Sequence, residues 1–96
     1  MQIKRCVVEI TKNAEEQMAK LPRRRVEAVY IWAESVELMG IVRVRQLAGY
    51  NDKPLLGLWR GCRSIRLNRA YRLFYFESDD ASKILVTVIE VNKHEY

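Results

Sequence analysis

"RGCRSIRLNRAYR", Arg60–Arg72, decides the fold of this chain because two periodicities cross in it. An arginine stands at every third position, Arg60, Arg63, Arg66, Arg69 and Arg72, with no acid among them. The apolar residues keep another beat: Ile65 and Leu67 are two apart, as are Tyr71, Leu73 and Tyr75. Period two belongs to a β-strand, whose alternate side chains face opposite ways. A period of three laid on a strand therefore delivers guanidinium groups to both faces. The segment reads as a β-hairpin, with strands over roughly Arg60–Leu67 and Tyr71–Glu77 joined by a turn at Asn68, Arg69 and Ala70.

Downstream, Ser78–Ala81 is a second turn and Lys83–Val91 a last strand. Upstream, residues 3–9 predict a first strand apolar enough to be central in a sheet. Asn13 followed by Glu16 predicts a helix N-cap, and Ala14, Met18 and Leu21 are spaced as one face of a short helix. Pro22 ends it, because the residue before proline is pushed out of the helical region. A longer helix is expected over Arg23–Met39, with Val26, Val29, Tyr30, Ala33 and Val36 facing the core and Gly40 as terminator. Residues 41–58 read as irregular around Gly49, Pro54 and Gly57, with one helical turn at Val42–Gln46. The expected fold is α+β, in the order β-α-α-β-β-β. Two N-terminal helices pack on one face of a mostly antiparallel sheet and leave the other face open.

The 96 residues make a single domain, 1–96, with room for one modest core. No apolar run reaches the roughly 18 residues of a membrane helix, and the N-terminus has no signal-peptide apolar segment. Cys6 and Cys62 fit no metal or redox spacing, so the expectation is two free thiols in the cytoplasm, no metal and no cofactor. Seventeen Lys and Arg outnumber twelve Asp and Glu, and the charges are segregated. From Lys53 to Arg72 there are six basic residues and no acid. Arg23, Arg24 and Arg25 crowd the start of the long helix, where the macrodipole favours acids at about 0.3–1 kcal/mol each. Such segregation is the footprint of nucleic-acid binding, with ordinary solvated surface charge as the alternative.

Sorting the hairpin by face sharpens this. Ile65, Leu67, Leu73 and Tyr75 belong under the helices, which sends Arg66 and Arg72 together to the open face. There they form a candidate phosphate clamp, unless Glu77 or Glu90 neutralises them. Arg60, Arg63 and Arg69 fall at strand ends, from which a guanidinium can reach water. Trp59, Tyr71, Phe74 and Phe76 either join the core or stack bases. The lone histidine, His94, follows the last strand and can reach the same open face, where arginines would lower its pKa into the range useful for proton transfer.

The stretch "RSIRLNRAYRLFY", 63–75, resembles the hairpin core of the RelE/ParE toxin superfamily of bacterial toxin–antitoxin modules. The tail "VIEVNKHEY", 88–96, resembles the last strand and C-terminus of its HigB/RelE-like members. The resemblance implies a metal-independent endoribonuclease that cuts mRNA on translating ribosomes. It implies attack of a ribose 2′-hydroxyl on the adjacent phosphate, leaving a 2′,3′-cyclic phosphate and a 5′-hydroxyl. The family's catalytic positions match Arg72, His94, Tyr96 and Arg66 here. Arg60, Arg63, Arg69, Lys93, Arg23, Arg24 and Arg25 make the expected RNA-binding surface. The implied partners are mRNA, the ribosome and a cognate helix-turn-helix antitoxin encoded next to the toxin, with no membrane. Two departures stand out: Ser64 occupies a position where some members have lysine, and no second histidine is present. The alternatives are a ParE-like gyrase inhibitor, which lacks the C-terminal acid/base set, and a basic RNA-binding module without catalysis.

Overall fold

The structure, a computed structural model, describes residues 4–93, so the expectations for His94 and Tyr96 lie outside the described residues. Five strands form one sheet: β1 (Arg5–Ile10), β2 (Lys53–Pro54), β3 (Arg63–Arg66), β4 (Tyr71–Asp79) and β5 (Lys83–Lys93). Their order across the sheet is β1-β5-β4-β3-β2. β1 runs parallel to β5, and the other pairings are antiparallel. β1 is therefore an edge strand, not the central one its composition suggested. Along it Cys6 is buried under the helices while Arg5 and Glu9 stay exposed. The free edge is closed at one point, where the Val8 N–H donates to the Glu37 carboxylate at 2.9 Å.

Three helices connect β1 to the rest: α1 (Lys12–Met18), α2 (Arg23–Met39) and α3 (Ile41–Arg45). The order is thus β-α-α-α-β-β-β-β: the helical turn expected at Val42–Gln46 is α3, and β2 is one short strand more than expected. β2 lies in the segment read as irregular and, at two residues, is too short to show a period. The cap of α1 is Thr11 rather than Asn13; the Thr11 Oγ1 accepts the Ala14 N–H at 3.1 Å. α2 has the expected bounds, and Gly40 ends it at φ +88°, a conformation that suits glycine. Its buried stripe is Val29, Trp32 and Val36, whereas Tyr30, expected inside, is 54% exposed. On the helical wheel Val36 lies between Val29 and Trp32, and the Trp32 ring sits 5.2 Å from that of Tyr75. Ile65, Leu73, Tyr75, Val86, Val88 and Val91 complete the core from the sheet side. Each such burial contributes about 1.5–3 kcal/mol.

β3 begins at Arg63 rather than Arg60, because residues 57–62 form a tight turn. In it the Arg60 N–H donates to the Gly57 carbonyl at 3.1 Å and the Cys62 N–H to the Trp59 carbonyl at 2.9 Å. The β3–β4 turn is as expected: Asn68 Oδ1 accepts the Ala70 and Tyr71 N–H groups, both at 2.9 Å.

One irregularity sets the sheet's far end. Phe74 pairs with Glu90 but Tyr75 pairs with Val88, so Ile89 is an extra residue, a β-bulge. Strict alternation from Val88 would turn Glu90 and Asn92 inward. The bulge brings Val91 into the core instead and sends Glu90 and Asn92 outward, beside Phe74 and Arg72. α1 satisfies the disturbed backbone: Asn13 Nδ2 donates to the Ile89 carbonyl at 3.1 Å, and Gln17 Oε1 accepts the Val91 N–H at 2.8 Å.

Candidate functional site

Arg66 and Arg72 are cross-strand partners, directly opposite on the face that no helix covers. Like charges so placed destabilise a sheet, on the scale of the 0.2–1 kcal/mol of cross-strand pairs. No acid offsets them among the described residues. Glu77 lies on the helix side and pairs with Arg45, while Glu90 accepts the Asn92 amide at 3.0 Å. Arg72 Nη1 is buried and has no hydrogen-bond partner among the described residues. A buried guanidinium nitrogen without a partner costs about 1–3 kcal/mol or more. Asn92, opposite Arg72 on β5, adds an amide at the rim. Chemically, the pair can hold a phosphate and offset charge that develops on it.

Next along β4 on the same face comes Phe74. Its ring lies 5.4 Å from that of Trp59, tilted by 30°. Ser64, where some RelE/ParE members have lysine, is paired opposite Phe74 and buried. Tyr71 points to the other side of the sheet, where the Arg25 guanidinium sits over its ring at 5.9 Å.

The remaining basic residues divide into two groups. Arg25 meets Tyr71, Lys93 is its cross-strand partner, and the turn bearing exposed Arg69 closes the same end of the sheet. These share the end of the molecule where Arg72 faces Asn92. Arg23 and Arg24 are exposed at the start of α2, Arg23 within 3.4 Å of Glu27. Arg60 is exposed in the turn before β3. Arg63 does not reach for water as expected. It shares the helix-covered face with Ile65, and its Nε donates to Asp52 at 2.6 Å.

Asp52 is the residue that sequence reasoning missed. Its side chain is 1% exposed, and its second oxygen accepts the Tyr75 hydroxyl at 2.5 Å. Burial, and then the Asp52 carboxylate, push the Tyr75 hydroxyl well above the usual phenol pKa. Asp52 ties the 46–62 arm, and with it Trp59, to the sheet. Asn92 was also unassigned, and Glu90, weighed as a neutralising partner of the arginines, pairs with Asn92 instead; the break of alternation in "VIEVN", 88–92, was the available sign.

Neither a family model nor a curated protein sequence matches the chain. Solved structures do. The RelBE2 toxin–antitoxin complex from Mycobacterium tuberculosis is similar at 26% identity and TM-score 0.68, over 96% of this chain and 100% of that one. The YoeB/ParE toxin from Agrobacterium tumefaciens shares 20% identity at TM-score 0.71, over 93% and 99%. The DinJ–YafQ toxin–antitoxin complex from E. coli shares 21% identity at TM-score 0.69, over 96% and 94%.

Proposed function

We propose, from the premise that this chain belongs to the RelE/ParE superfamily of toxins, that it is the toxin of a type II toxin–antitoxin pair and an endoribonuclease acting on mRNA at the translating ribosome. The observation that carries the reading is the opposed Arg66–Arg72 pair, which has no acid partner among the described residues and a guanidinium nitrogen without a hydrogen-bond partner among them. In the proposed reaction the ribose 2′-oxygen forms a bond to phosphorus and the bond from phosphorus to the 5′-oxygen breaks. A base takes the 2′-hydroxyl proton, and an acid gives a proton to the leaving oxygen. Arg72 and Arg66 offset the negative charge that grows on the phosphorane oxygens. The family pattern assigns the proton transfers to His94 and also matches Tyr96; His94 follows Lys93 directly in the chain. Arg25, Arg69 and Lys93 would steer the RNA to that end. Arg63, held by Asp52, is left out of the RNA surface.

The solved relatives in complex with RelB and DinJ support a cognate antitoxin as the physiological partner. Primer extension on messages after pulse expression tests the activity. The expected result is new 5′ ends within translated regions, lost when translation is blocked. Growth arrest with intact messages and poisoned DNA gyrase would overturn it in favour of the ParE-like activity.

A further inference from the structure

Two tryptophans occupy opposite environments: Trp32 is fully buried, while Trp59 is 39% exposed on a face without a helix layer. Trp59 is nonetheless held in place. Gly57 at φ +68° and Gly61 at φ +94° bracket its turn, which is closed by the Cys62 N–H to the Trp59 carbonyl at 2.9 Å and the Leu55 N–H to the Cys62 carbonyl at 3.0 Å. The indole then rests against Phe74 at 5.4 Å, within the separation of offset aromatic pairs. Phe74 lies on the same face as Arg72, two residues along β4, a strand rise of roughly 6.6 Å. One nucleotide spans that distance between its phosphate and its base.

We infer that Trp59, braced by Phe74, is the platform on which one unpaired nucleobase stacks when its phosphate lies between Arg66 and Arg72. The inference rests on the proposed RNA-binding role of this face and names what the face recognises beside the phosphate. Three features select a nucleobase over another apolar occupant. The aromatic surface is continuous with two arginines that pair with no acid among the described residues, Glu90 beside Phe74 being engaged by the Asn92 amide, so the occupant is flat and anionic at one end. Arg72 Nη1 has no hydrogen-bond partner among the described residues. The platform is pre-ordered, so stacking costs little side-chain entropy. Aromatic stacking of splayed bases is the general mode by which single-stranded RNA is held.

The test uses a short single-stranded RNA and the same oligonucleotide with abasic sites, which keeps the phosphates and removes the bases. Because Trp32 is buried, quenching of tryptophan emission by RNA reports Trp59. Intact RNA is expected to quench the emission and to bind roughly 5- to 150-fold more tightly than the abasic form, the range for one stacked base. Trp59→Ala should lower affinity for intact RNA by that factor and abolish the difference between the two oligonucleotides. Trp59→Phe should keep most of the affinity but not the quench. Equal binding of intact and abasic RNA, unchanged affinity in Trp59→Ala, or no quench at millimolar RNA overturns the platform. Arg72→Ala separates the two claims: undiminished binding of both oligonucleotides would remove the phosphate clamp itself, whatever Trp59 does.

Discussion

Gln17 Oε1 accepts the backbone N–H of Val91 at 2.8 Å, so a side chain of the first helix completes the hydrogen bonding of the last strand. Together with Asn13 on the Ile89 carbonyl, it holds the bulge that sends Glu90 and Asn92 to the open face. The first helix thus acts on the candidate site from the opposite side of the sheet. It does so through the register of β5.

Gln17→Ala should therefore cost about 1–3 kcal/mol, the scale of a buried donor left unsatisfied. It should also speed hydrogen exchange at the Val91 amide. Cleavage should fall by more than the lost stability accounts for, because the strand end bearing Asn92 loses its register. Gln17→Glu keeps an acceptor and should behave close to wild type. Unchanged exchange at Val91 in Gln17→Ala would remove this role.

The opposed arginines predict a trade of activity against stability. Arg66→Glu converts a like-charge cross-strand pair with Arg72 into an attractive one, and should stabilise the fold by about 0.2–1 kcal/mol while removing most cleavage. Arg72→Ala should lower cleavage roughly 10²- to 10³-fold, the scale for one lost contact to transition-state charge. Thermal melts and single-turnover cleavage read the two effects separately. An Arg66→Glu protein that is both less stable and fully active would contradict the clamp.

What could be read from the sequence followed the strength of its periodicity. The hairpin at 63–75 alternates cleanly, and Ile65, Leu73 and Tyr75 are buried as that alternation requires. The bounds of α2 were legible because Pro22 and Gly40 punctuate them. Most of its buried stripe was legible too, since Val29 and Val36 are buried and Val26 and Ala33 pack against the core; the choice between Tyr30 and Trp32 was not, because both are aromatic and only packing against Tyr75 selects one of them. β1 reads as apolar enough for the centre, and only the crossover that pairs it in parallel with β5 makes it an edge. Asp52 was illegible because its partners, Arg63 and Tyr75, are distant in sequence and meet only across β3 and β4. The bulge was half legible: "VIEVN" breaks alternation, but the choice of the extra residue depends on the α1 side chains that bond to it.

His94 carries a prediction from the family pattern and its place in the chain just beyond Lys93. If it transfers the proton, His94→Gln should keep fold and ribosome binding while cleavage drops about 10²- to 10⁴-fold. The pH–rate profile should contain a limb near the pKa of an imidazole that is missing in the variant. A His94→Gln protein that cuts at the wild-type rate would exclude it from the reaction and turn attention to Tyr96.

The Asp52–Tyr75 contact makes the fold sensitive to alkali. The Tyr75 hydroxyl is raised above its ordinary value of 10.0, chiefly by burial and then by the Asp52 carboxylate, so the folded state favours the protonated phenol. Below about pH 10 the phenol is protonated in both the folded and the unfolded chain, and its contribution to stability is fully present. As pH rises further the unfolded chain releases the proton while the folded one retains it. Stability must then fall until the folded-state pKa is reached. Denaturant midpoints should accordingly begin to drop above about pH 10. Tyr75→Phe should be less stable at neutral pH by about 1–3 kcal/mol, since Asp52 loses a donor in a buried place. Its alkaline decline should be shallower than that of the wild type. Some decline will remain, because burial also raises the Tyr50 hydroxyl. A Tyr75→Phe protein with the wild-type alkaline slope would show that the phenol at Asp52 does not govern it.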